Sequence, residues 1–94
     1  MNKSDQKRIG NSFKTLRVLC GPMRFKIVYL LHKNKKGLSV TELAKMLGGS
    51  LSRISHQLRI LKRQKMVRSA GQNRETIYKL GDHGLARYIS ILFK

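Results

Sequence analysis

Apolar positions along the chain recur in two periods, and the change from one to the other divides it. Between Ser4 and Cys20, Ile9, Phe13, Leu16 and Cys20 fall at steps of four, three and four, which is one face of a helix. Gly21-Pro22 interrupts that face. Pro22 suits the first position of a new helix, where its missing N–H has no partner to lose. The segment from Pro22 to Lys33 is apolar nearly all round (Met23, Phe25, Ile27, Val28, Leu30, Leu31) and is expected in the core. After the polar loop Asn34-Lys35-Lys36-Gly37, Ser39-Val40-Thr41-Glu42 has the form of a capping box. Val40, Leu43, Ala44 and Leu47 share one face of the short helix that it opens. Gly48-Gly49 ends this helix and Ser50 caps the next. There, Leu51, Ile54, Leu58 and Leu61, at steps of three, four and three, predict a buried stripe. Beyond Lys65 the period changes. Met66 to Ser69 and Thr76 to Leu80 read as strands, with Gly71-Gln72-Asn73-Arg74 as the polar tip of a hairpin. Gly81 and Asp82 introduce a last helix striped by Leu85, Tyr88, Ile89 and Leu92.

The expected fold is therefore mainly α with a small β-hairpin, in the order α-α-α-α-β-β-α, as one winged helix-turn-helix domain over residues 1–94. In a helix-turn-helix the second helix enters the major groove and its first turns face base edges. Away from its buried stripe, that helix carries Ser52, Arg53, Ser55, His56, Arg59, Lys62 and Arg63. Arg53 and Arg59 can each fork to guanine O6 and N7. Ser52 and Ser55 are small enough to let the helix sit deep, His56 can donate or accept, and the cap Ser50 and Gln57 are counted with them as DNA-binding residues. Lys62, Arg63 and Lys65 extend the positive surface towards phosphates. Gln72, Asn73 and Arg74 form the wing tip, near the minor groove or the backbone.

Charge strengthens this reading. The chain has 21 Lys and Arg against 4 Asp and Glu, a net charge of +17. Such an imbalance repels itself and is compensated by a polyanion; double-stranded DNA gains further from counterion release. A membrane-surface helix would gather its charge on one long amphipathic element, whereas here basic residues run from Lys3 to Lys94 among apolar residues at core spacing. No apolar run is long enough to span a bilayer, and Met1-Asn2-Lys3-Ser4-Asp5 leads into no secretory signal. A nonspecific architectural nucleic-acid protein is the alternative that the same charge suits. A protein-binding winged helix is disfavoured by that charge, and an RNA reader by the lack of an aromatic platform. The single cysteine, Cys20, reads as a small buried apolar residue in an intracellular chain. No Ser-His-Asp set, phosphate-binding glycine loop or carboxylate pair points to an enzyme, and no cofactor is expected.

From Leu19 to Leu80 the chain resembles the ArsR-type winged-helix family of bacterial and archaeal repressors. Cys20-Gly21-Pro22-Met23-Arg24-Phe25-Lys26-Ile27 is similar to the family's loop-to-helix signature, and Leu38-Ser39-Val40-Thr41-Glu42-Leu43-Ala44 to the start of its helix-turn-helix. Leu51 to Leu61 resembles its recognition helix, and Met66-Val67-Arg68 leads into its wing. The resemblance implies operator occupancy by a homodimer built from the first and last helices, in the prokaryotic cytoplasm on the nucleoid. Ile9, Phe13 and Leu16, with Leu85, Tyr88, Ile89 and Leu92, are the expected interface. The family is also known for sensing metals, but no metal is expected here. Its cysteine site falls on Val40 to Leu47, which contains no cysteine. In its Asp-x-His site Asp82 matches, but Gly84 stands where the histidine belongs, and His83 comes one position early.

Overall fold

The computed structural model describes residues 1–19, 21–72 and 74–81, without the side chains of residues 12–16, 18, 19 and 72. Its elements are α1 (Lys3–Leu19), α2 (Pro22–Lys33), β1 (Leu38–Ser39), α3 (Val40–Leu47), α4 (Leu51–Arg63), β2 (Val67–Gln72) and β3 (Glu75–Leu80). The expected last helix, with Asp82, His83, Leu85, Tyr88, Ile89 and Leu92, lies outside the described residues, as do Cys20, Asn73 and the side chains of Phe13, Leu16 and Gln72.

Local chemistry sets most of the boundaries. Pro22 takes the first position of α2, as its fixed φ favours. At the other end Asn34 folds back, its side-chain Nδ2 donating to the Leu30 carbonyl at 2.8 Å. The capping box of α3 is present: Glu42 N–H donates to Ser39 Oγ at 3.1 Å, and Ser39 N–H donates to Glu42 Oε1 at 3.0 Å. This pairing lets Ser39 sit only 3% exposed without an orphaned hydroxyl.

The hairpin is larger than expected, and a third strand joins it. β1 pairs antiparallel with β3 (Leu38 opposite Tyr78, Ser39 opposite Ile77), giving the strand order β1-β3-β2. Gly37 permits the approach. Its φ is +92°, and a Cβ there would lie 2.8 Å from the Tyr78 carbonyl oxygen. β2 and β3 stay paired out to Gln72 opposite Glu75, so Gly71 and Gln72 belong to the strand rather than to the tip.

Ile27, Val28 and Leu31 of α2 meet Leu43 and Ala44 of α3, Ile54, Leu58 and Leu61 of α4, and Leu38, Met66 and Val67 in one cluster. Met23, Leu30, Val40, Leu47, Tyr78 and Leu80 close around it. Full burial of each leucine or isoleucine contributes about 1.5–3 kcal/mol, so three on α4 suffice to fix that helix. Two residues expected in the core are not there. Phe25 is 38% exposed, because α2 buries only its Ile27-Val28-Leu31 side. Leu51 is 54% exposed, because the core under α4 begins one turn later, at Ile54.

Candidate nucleic-acid interface

α4 is held at both ends by backbone chemistry. Gly48 ends α3 in the left-handed region (φ +72°), and its N–H and that of Gly49 both donate to the Ala44 carbonyl, at 2.8 and 3.2 Å. Ser50 then caps α4, its Oγ accepting the Arg53 N–H at 3.1 Å. At the far end Lys65 turns to φ +60°. The Lys65 N–H donates to the Lys62 carbonyl and the Met66 N–H to the Leu61 carbonyl, both at 2.9 Å. This is the Schellman pairing, here closed by a lysine where glycine is usual. Lys62 Nζ donates to Ser69 Oγ at 2.7 Å and ties the end of α4 to β2. Helix and hairpin also share the core through Leu58, Leu61, Met66 and Val67.

The surface so fixed is cationic. α4 contains no acidic residue, and Arg53, Arg59, Lys62 and Arg63 are exposed on it, with Ser50, Ser52 and His56. Ser55 and Gln57 are half-buried, flanking the Ile54-Leu58-Leu61 stripe. Arg74 is exposed at the hairpin tip. Lys65 and Arg74 (φ +69°) are the non-glycine residues with positive φ among those described, and both are basic. A left-handed backbone costs an L-residue about 1–2 kcal/mol. Glycine would relax both sites, and the chain carries a cation at each instead.

The register adds two cations that periodicity did not single out. Arg68 and Lys79 are directly opposed across β2 and β3, and both are exposed. Like charges facing each other across a sheet destabilise it unless an anion lies between or above them. The strand pairing, once fixed, is the signal that would have found them. Among the described residues no group of three or more His, Cys, Asp or Glu is placed to hold a metal ion. No described helix is long and apolar enough to cross a membrane. Chemically, the surface can accept a polyanion along the wing and the end of α4, and can present bidentate donors from the first turns of α4 to whatever lies beneath them.

Comparison with known proteins agrees with this geometry. Residues 21–69, just over half the chain, match the family described as "Bacterial regulatory protein, arsR family". The chain is 32% identical over 85 residues to the HTH-type transcriptional regulator NmtR of Mycobacterium tuberculosis, covering 90% of this chain and 69% of NmtR. Among solved structures it is similar to reduced HlyU of Vibrio cholerae, with a TM-score of 0.87 at 25% identity over 97% of this chain and 94% of that one. It also shares the fold of the homodimeric winged helix-turn-helix DNA-binding domain of Mb0332 from Mycobacterium bovis. There the TM-score is 0.84 at 18% identity, over 99% of this chain and 84% of that one.

Proposed function

We propose that this chain, which belongs to the arsR family of bacterial regulatory proteins, binds an inverted-repeat operator in double-stranded DNA as a homodimer and represses transcription by occupying it. That it is a transcriptional regulator with a winged helix-turn-helix fold follows from the family and the architecture. The observation that carries the finer reading is α4 itself: a helix with no acidic residue, capped at both ends, seated on three fully buried side chains, and presenting Arg53 and Arg59 outward.

In this reading Arg53 and Arg59 fork to guanines while Ser52, Ser55 and His56 line the groove beside them, with Ser50 and Gln57 at the margins of the contact. Lys62, Arg63 and Lys65 meet phosphates, and Arg74, with Gln72 and Asn73, carries the wing tip to the adjacent backbone or minor groove. Ile9, 54% exposed on α1, supports pairing of that helix with a second copy. So does the homodimeric state stated for Mb0332. Phe13 and Leu16, with Leu85, Tyr88, Ile89 and Leu92, complete the proposed interface. Occupancy of promoter DNA by such a dimer excludes polymerase, and no chemistry on a bound ligand is required for it.

The net charge of +17 also favours a second reading, nonspecific coating of nucleic acid. Selection of bound sites from random-sequence duplexes separates the two. A two-fold dimer enriches two inverted half-sites about one helical turn, ~34 Å, apart. A pool with no enriched motif overturns operator recognition, and a single unrepeated site overturns the dimer.

A further inference from the structure

We infer that Leu51 reads the C5-methyl group of thymine in the major groove, an assignment that rests on α4 being the reading helix proposed above. Leu51 occupies the first position of α4 and is 54% exposed, although Ile54, Leu58 and Leu61 on the same helix are fully buried. The core closes without it. Gly49 lies beside Ile54, where an added Cβ would stand 3.4 Å from Ile54 Cδ1, so the cluster ends at Ile54, one turn after Leu51. Across the Gly48-Gly49 turn, Met46 is 52% exposed at the end of α3. Single exposed apolar residues are ordinary on protein surfaces. What sets Leu51 apart is its place, at the end of the helix that meets base edges first, among exposed Ser50, Ser52 and Arg53.

Its neighbour Ser50 is polar and its hydroxyl accepts the Arg53 N–H as the helix cap, so the apolar contact at this end of α4 falls to Leu51. Leu51 itself offers neither donor nor acceptor. Of the groups that base pairs present in the major groove, the thymine methyl is the apolar one, and leucine is suited to it. The same side chain set over guanine or cytosine would cover acceptors or a donor without replacing their hydrogen bonds, which penalises those pairs. Leu51 thus favours thymine both by contact and by exclusion.

The test uses the full chain and the duplex that emerges from selection. Each thymine is replaced in turn by deoxyuridine, which removes only the methyl, and affinities are measured for the wild type and for Leu51→Ala. At one thymine in each half-site, loss of the methyl should weaken the wild type about fourfold. Leu51→Ala should bind the thymine and uridine duplexes equally, and its melting temperature should match the wild type because the residue is exposed. If no uridine weakens the wild type, or if the loss persists undiminished in Leu51→Ala, the assignment is overturned. The wild-type series does not depend on any variant folding. A preferred duplex that is indifferent to its thymine methyls overturns this inference alone, whereas the absence of any preferred duplex overturns operator recognition and this inference with it.

Discussion

Arg53 and Arg59 lie six positions apart on α4, both exposed, on a helix with no carboxylate to hold their guanidinium groups back. Lys62 differs in kind, because its ammonium already donates to Ser69 and bridges helix and wing. The two types of cation should therefore fail differently. Arg53→Ala or Arg59→Ala should cost about 1–3 kcal/mol and relax preference at one base pair, as loss of a bidentate base contact does. Lys62→Ala should weaken all sequences alike. Affinities for the selected duplex and its single-pair variants measure this, and unchanged specificity in both arginine variants would contradict the reading surface. The exposure of these arginines, and the caps at Ser39 and Ser50, were legible in the sequence because each depends on residues within one turn. Leu51 and Phe25 were not. Spacing assigns a residue to a helix face but does not say where the core beneath that face ends, and at Leu51 it has already ended.

At the scale of elements, the junction between α4 and β2 concentrates the conflict between stability and charge. Lys65 closes the Schellman pairing at φ +60°, a position that glycine fills without strain. Lys65→Gly should therefore stabilise the fold by about 1 kcal/mol. For a domain of this size that is a rise in Tm of about 4–8 °C. The same change should weaken DNA binding uniformly and reduce the salt slope by about one phosphate contact. Thermal unfolding and a salt series on the variant report the two effects, and a lower Tm or an unaltered slope would contradict this assignment of Lys65. The helices and the hairpin were legible as elements because periodicity, glycine turns and capping residues agree. β1 was not, since Leu38-Ser39 is too short to alternate and exists only because β3 offers an edge far along the chain. The extent of β2 was not legible for a related reason: Gly71 and Gln72 form a polar, glycine-containing stretch that reads as a turn, and only pairing across to Thr76 and Glu75 keeps them in the sheet.

Over the whole molecule, 21 basic residues against 4 acidic ones make the folded chain self-repelling. Exposed cations follow α4 through Lys65 to the Arg68–Lys79 pair and the wing tip at Arg74, on elements that Lys62, Ser69 and the shared core lock together. Charge alone would favour any polyanion. In the proposed reading, the placement of Arg53, Arg59 and Leu51 on one capped helix is what selects a particular sequence. Family and fold class could be read from the order of motifs, and the match of residues 21–69 agrees with that order. The proposed pairing surface can be read only as an excess of apolar positions, because a partner's contribution is not written in the spacing of one chain. The most direct measurement is the ratio of affinities for the selected inverted repeat and for a scrambled duplex of equal composition, across a salt series. At physiological salt the selected site should bind at least about 10³-fold more tightly, while both affinities fall with salt at a log–log slope steeper than about −3. A ratio near one, with the same slope for both duplexes, would contradict sequence-specific regulation and leave a protein that only neutralises phosphate.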